Sequence, residues 1–337
     1  MYGRGGPEWL LEPRRRSERA VVQVVTECYV RGVSTRRVDG LVRTLGLQGM
    51  SKSQVSELAK ELDSVVEGFR HRRLDYGPYT FVWLDAMTQR CREDGHVVNV
   101  VTVIATGVNR DGHREILGVD VFTGENGAGW SSFLRDLVAR GLNGVKLVIS
   151  DAHSGLKTAI AEQLPGSAWQ RCRAHFMCNV LNNVPKSAQD LVATMVRSIF
   201  AQPTEKEVRA QHERVVDELL ARFPAAAQML SEACEEILAF SVFPKSIWRQ
   251  IWSNNPQERL NREVRRRSDV VGIFPNRESI IRLVGAVLAE QNDEWMISRR
   301  YMSLDVVQKA QAVSDRMEEN ELNESEEETM LIGQLTA

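Results

Sequence analysis

The sequence predicts an α/β protein in which a mixed sheet is preceded and interrupted by helical segments. Three observations carry that expectation. Apolar residues between 17 and 69 recur at helical spacing, the stretch from 79 to 122 turns to runs of Val, Ile and aromatics, and from 173 to 252 no strand pattern survives.

The first helical stretch falls into three blocks, carried by Val21, Val24, Val25 and Tyr29, by Val38, Leu41, Val42 and Leu45, and by Val55, Leu58, Leu62, Val65 and Phe69. Ser51 to Gln54 reads as a capping box ahead of the third block. Residues 1–76 therefore form a helical region of helix-turn-helix character, either a DNA-binding unit or a helical packing domain. After Gly77-Pro78, strands are expected over Tyr79 to Leu84, Val97 to Val108 and Ile116 to Phe122, the last two joined by a turn at Asp111-Gly112. A helix over Trp130 to Ala139, a buried-type strand over Val145 to Ser150, a helix over Gly155 to Gln163 and a strand over Ser167 to Gln170 complete the order βββαβαβ. That order is the one found in a ribonuclease H-like mixed sheet, whose later strands run parallel to the first because helices cross between them. Residues 77–172 are thus the first part of the sheet-bearing core and 173–252 an all-helical insertion. Residues 253–305 are closing helices of the core, and 306–337 a helix end with an acidic tail of disordered composition.

Bulk properties set limits on function. A chain of 337 residues, 43% hydrophobic and 26% charged, is of ordinary globular composition. Its formal net charge of -2 hides segregation, with arginines at 14–16 and 265–267 set against the acidic run from Glu318 to Glu328. Five scattered cysteines do not read as a disulfide framework and imply a reducing cytosol. There is no membrane-length apolar run and no signal-peptide pattern. A cytoplasmic protein, neither exported nor anchored, is expected.

Two aspartates end apolar runs, Asp85 in "FVWLDAM" and Asp151 in "KLVISDAH". A carboxylate in such a place is costly unless it is paired or metal-bound. Their strands are neighbours in the expected sheet, so both emerge on one side of it. Two close carboxylates raise each other's pKa, and a divalent cation relieves the repulsion. Oxygen-only ligands suit Mg²⁺ or Mn²⁺, and two such ions about 4 Å apart serve phosphodiester chemistry. Taken singly, each aspartate reads better as a helix or turn cap; the pair in this strand order reads better as a metal site. A third carboxylate must come from "SNNPQERLNREVRRR", where Glu258 and Glu263 lie roughly 140° apart on one helix and cannot both serve one site. Glu258 also fits as an acidic first-turn residue, and Glu263 as the partner of Arg259 or Arg267 in an intrahelical ion pair. Arg259, Arg262, Arg265, Arg266 and Arg267 are the expected DNA phosphate contacts, with a solvated arginine face as the alternative. Trp248, Trp252 and Trp295 read as core or helix-docking residues, with base-stacking platforms as the alternative, and His71, His96, His113 and His212 as surface residues.

The segments "FVWLDAM", "GVNRDGHREILGVDV", "LVISDAHSGLKTAI", "WQRCRAHFM", "IWSNNPQERLNREVRRRSDVVGIFPN" and "LVGAVLAEQNDEW" together resemble the mutator-type transposases of bacterial insertion sequences, over residues 7 to 305. The resemblance implies a DDE transposase with a ribonuclease H-like domain and a helical insertion between the second aspartate and the glutamate. The family's two aspartates fall on Asp85 and Asp151 and its glutamate, in a Glu-Arg-Leu-Asn motif, on Glu258. A Cys-x-x-His motif falls on Cys172 to His175, expected to shape the active site or the DNA path, with His153 placed to orient a phosphate. The motif by itself is a weak zinc signal, since structural zinc takes four ligands, even if Cys178 and His153 were recruited. Similar transposases usually carry a further N-terminal region that helps recognise the element's ends, so the chain reads as a shortened copy or an internal start.

The chemistry implied is metal-dependent cleavage at the element's ends by two Mg²⁺ (or Mn²⁺) ions held on Asp85, Asp151 and Glu258, followed by strand transfer into target DNA. Its partners are terminal inverted repeats, target DNA and further copies of the chain, as a dimer or larger. The rival readings are a truncated, non-catalytic DNA-binding remnant that modulates transposition, and a ribonuclease H-like nuclease or resolvase.

Overall fold

The computed structural model describes residues 61–312. The helical blocks before residue 61, the capping box and the acidic tail lie outside them. Helix α1 (Glu61–Arg70), the end of the third helical block, packs Leu62 and Val66 on Ala286 of a helix near the chain's other end.

The sheet has five strands: β1 (Phe81–Glu93), β2 (His96–Val108), β3 (Arg114–Phe122), β4 (Leu147–Ser150) and β5 (Ala168–Arg171), in spatial order β3-β2-β1-β4-β5. The first three form an antiparallel meander, and β4 and β5 add parallel to β1. Helix α2 (Gly127–Ala139) leads into β4 and α3 (Ser154–Gln163) into β5, so the order βββαβαβ is present as expected. Parallel strands need such crossovers, whereas the meander needs only tight turns.

One expectation was too short. β1 does not stop at Leu84 but continues to Glu93 and turns through Asp94-Gly95, both at positive φ (50° and 81°), directly into β2. An Asp-Gly pair is suited to such a hairpin because glycine carries no penalty there. The polar residues after Asp85 disguise this half of the strand. Only Met87 and Cys91 are buried in it, and the apolar surface they meet, with Leu260, Val264, Phe274 and Leu283, lies far along the chain.

β1 alternates as a sheet buried on both faces must. Val82 and Leu84 pack on Trp130, Phe133 and Leu156 of α2 and α3. Phe81 and Trp83 point the other way, into a large cluster made by the helical insertion. That insertion comprises α4 (Arg173–Asn182), α5 (Gln189–Ile199), α6 (Glu205–Leu220), α7 (Pro224–Glu232), α8 (Cys234–Leu238) and α9 (Trp248–Ile251). Met87 and Cys91, on the same face, meet α10 (Asn255–Ser268) and α11 (Arg277–Ile297). Asp85 therefore sits at the seam between two apolar clusters.

Two aromatic expectations hold. Trp248 is buried and donates its indole N–H to Phe243 O at 2.7 Å, and Trp252 packs edge-on against Phe200 and Phe240. His212 is a correction. It is buried in the insertion with Nε2 2.9 Å from Leu230 O, because its place on α6, four residues after Val208, puts it on the apolar face.

Candidate active site

β1 and β4 pair Phe81 with Leu147 and Trp83 with Ile149, an offset of 66 residues. Asp85 and Asp151 are separated by the same 66 residues, two positions beyond the last pair. The two carboxylates thus stand side by side where β4 ends, on one face of the sheet, because side chains alternate with period two.

Helix α10 brings the third. Its composition favours a helix in this direction, with Pro256 at its start, Glu258 in the first turn and arginines in the last, each complementing the dipole. The preceding Asn254 is at the cap position but does not cap. Its side-chain amide donates to Leu84 O at 3.2 Å, one residue before Asp85, and its backbone N–H points to the Cys172 sulfur at 3.2 Å. Gln257 accepts from Thr106 Oγ1 at 2.8 Å, and Asn261 donates to Asp85 Oδ2 at 2.6 Å. These buried amides fix the rotation and depth of α10 against the sheet, which a smooth apolar face would leave free to slide.

His175, on the first turn of α4, completes the group. Its Nδ1 lies 2.5 Å from Asp151 Oδ1 and its Nε2 3.9 Å from Glu258 Oε1. The contact with Asp151, then that with Cys172, push its pKa up to about 11, so it carries charge at neutral pH. The Asp85 carboxyl is pushed up to about 7, chiefly by burial and further by repulsion from Asp151 and Glu258, against the opposing Ala86 N–H bond at 2.9 Å and the His175 charge. Side-chain exposures of 42% for Asp151, 36% for Glu258 and 46% for His175 leave the group open to a large substrate.

The donor set fits a divalent cation. Three carboxylates within mutual repulsion offer hard oxygen ligands. Asp151 Oδ1 is buried and, apart from its ion pair with His175, has no hydrogen-bond partner. Among the described residues, the ligand atoms of Asp151, Cys172 and His175 lie within 4.8 Å of one another, a grouping that Asp85, Glu258, Cys178 and His153 do not join. His153 instead caps α3, accepting from the Leu156 N–H at 3.3 Å.

The arginines divide. Glu263 pairs with Arg266 and Arg267, both at 2.7 Å, and is held down at about 2, mainly by the Arg266 bond. The expected intrahelical pair is there with Arg267, and Arg266 rather than Arg259 is its second member. Arg267, only 14% exposed, also pairs with Glu290, so its charge is committed within the fold. Arg259, Arg262 and Arg265 are exposed and form no ion pair among the described residues.

Fold and site together define an α/β protein presenting three carboxylates, one histidine and free arginines at one seam of a mixed sheet. Residues 3–298 match the family described as Transposase, Mutator family, and the chain belongs to that family. It is 59% identical over 313 residues to the transposase for insertion sequence element IS1081 of Mycobacterium tuberculosis, covering 93% of this chain and 75% of that one. It is 38% identical to the ISRM5 transposase of Rhizobium meliloti, covering 88% and 74%, and 36% identical to the IS256 transposase in transposon Tn4001 of Staphylococcus aureus, covering 88% and 76%. Among solved structures, the Drosophila P element transposase strand transfer complex aligns with 84% of this chain and 81% of its own at a TM-score of 0.34 and 12% identity.

Three positioning residues escaped the sequence reading: Asn254, Gln257 and the amide of Asn261. The signal was present, since asparagines and glutamine recur at 254, 257 and 261 along one helical face, a spacing that turns amides toward whatever the helix packs on.

Proposed function

We propose that this chain is a DDE transposase whose ribonuclease H-like domain cleaves DNA at the ends of an insertion sequence and joins them to target DNA. The convergence of Asp85, Asp151 and Glu258 from a strand, a strand end and a distant helix carries the reading. Asp85 has two neutral donors, Asn261 and the Ala86 N–H, yet burial and the nearby Asp151 and Glu258 still raise its pKa, as expected where a cation is to bind.

Asp85, Asp151 and Glu258 would hold two Mg²⁺ or Mn²⁺ ions, which when bound supply Lewis acidity at the attacking and leaving oxygens of a phosphodiester. Asn261 keeps Asp85 oriented toward its neighbours. His175 steadies Asp151 and Glu258 through its charge. Arg259, Arg262 and Arg265 hold backbone phosphates beside the site without reading sequence. Exchange of one phosphodiester for another needs no nucleotide cofactor. Bringing two element ends together calls for a dimer or larger assembly, acting in the cytoplasm on nucleoid DNA. No helix among the described residues is long and apolar enough to cross a membrane.

The test is a strand-transfer assay with labelled element ends and Mg²⁺, run beside Asp151→Asn. Joining that disappears in the variant is the expected result. End binding without Asp151-dependent joining would leave a DNA-binding protein without catalysis and overturn the enzymatic reading.

A further inference from the structure

A second feature borders α10 on another side. A cleft of about 550 Å³ has Leu260 and Trp295 in its wall and Arg114, Arg259, Arg262 and Arg266 around it. At 100° per residue its centre lies roughly a third of a turn around α10 from Glu258, with Arg262 between the two. Arg114 enters from the start of β3. Its Nε is buried with no hydrogen-bond partner, one Nη reaches only Pro256 O at 3.4 Å, and the guanidinium lies over Trp295 at 3.9 Å and Tyr301 at 5.3 Å. Burial pulls its pKa down to about 10, as expected of a cation lacking a counter-charge. The one carboxylate in the cleft wall, Glu263, is already bonded to Arg266 and Arg267. The cleft is thus short of an anion.

A bare phosphate would leave most of it unfilled, since cavities of roughly 300–1,000 Å³ suit ligands of drug size. The wall is not a pure charge track either, for the guanidiniums alternate with an indole and an aliphatic surface. A single nucleotide combines the two chemistries required, an anion and a flat apolar ring. A base held in a duplex offers its flat face to its stacking neighbours and could not enter.

We propose that this cleft takes one unstacked nucleotide of a single-stranded DNA segment, its phosphate on Arg114, Arg259 and Arg262 and its base against Leu260 and Trp295. This rests on the reading of the chain as acting on DNA. The adjacency to Glu258 gives the cleft a purpose. A strand lying across the carboxylates would have a neighbouring nucleotide gripped out of the stack, which fixes the strand lengthwise, whereas Arg265, outside the cleft, holds it only by charge.

Binding of the full chain to a labelled single-stranded oligodeoxynucleotide of about twenty residues, and to the duplex of the same sequence, tests this by fluorescence anisotropy in EDTA, where no cleavage intervenes. Arg114→Gln and Trp295→Leu are expected to weaken single-strand binding roughly tenfold and duplex binding less than about threefold. Arg259→Ala, an exposed change that cannot disturb the core, should show the same bias, and a strand carrying 5-iododeoxyuridine should photo-crosslink to Trp295. Equal losses on both DNAs, or no loss with Arg259→Ala and no crosslink, would overturn the nucleotide cleft while leaving the transposase reading intact. A wild-type chain that binds neither DNA would sink the DNA reading itself.

Discussion

Two carboxylate networks on one sheet have opposite constitutions. Glu115 on β3 is only 4% exposed, yet it accepts from Tyr79 Oη at 3.0 Å and pairs with Arg72 at 3.2 Å. Burial, and then Glu115, raise the Tyr79 pKa, so the phenol stays a donor, while Arg72 is lowered by burial without losing its charge. Asp85, two strands away, meets one amide, its own neighbour's N–H and two further carboxylates. The first network is closed by donors and holds the meander to the segment that follows α1. The second is short of positive charge and opens to solvent. A carboxylate's burial therefore says little about its role until its partners are counted.

That contrast can be broken from either side. The largest effect is expected for Asp151→Asn or Glu258→Gln, which should reduce strand joining at least roughly a thousandfold, whereas Glu263→Gln retains it within about tenfold. If Glu263→Gln alone abolished joining in the gel assay, the third carboxylate would be misassigned. Next comes Glu115→Gln, which strands Arg72 in a half-buried site and should cost about 2–4 kcal/mol in denaturant unfolding, with no change in divalent-ion affinity. A stability loss that also abolished ion binding would merge the two networks into one.

Asn261→Ala should weaken Mn²⁺ binding roughly 10- to 100-fold, read by calorimetry, with little change in melting temperature, since outer-shell partners act by orienting ligands. The smallest effect tests the open network directly. Asp85 has a folded pKa of about 7, above its ordinary 3.8, so the metal-free fold loses stability as pH rises between those values and carries the full cost above 7. Asp85→Asn should accordingly stabilise the metal-free protein by about 1–2 kcal/mol at pH 8, and the gain should vanish near pH 4. A gain that did not depend on pH would mean that packing, not charge, limits this position. Mg²⁺ should raise the wild-type melting temperature and not that of Asp151→Asn.

The order of strands and helices was legible because period-two runs and helical periods are local properties, and the positions of Asp85 and Asp151 were legible because each ends a conspicuous apolar run. The second half of β1 was not, since Thr88, Gln89, Arg90 and Arg92 look like a loop until α10, α11 and Phe274 cover Met87 and Cys91. His212 was hidden for a similar reason, its burial depending on α7 lying across α6. The role of Asn261 could not be read either, because a hydrogen bond to a residue 176 positions away has no local trace.

The sequence by itself determined which residue types were available, the order of strands and helices, and that two aspartates end apolar runs 66 residues apart. Only the tertiary structure decided that Glu258 rather than Glu263 faces them, since the choice depends on the rotation of α10. That rotation is set by Asn254, Gln257 and Asn261 finding partners on three separate strands or strand ends. Each of the three amides makes one such side-chain bond, to Leu84 O, Thr106 and Asp85, and making all three at once fixes how the helix is turned.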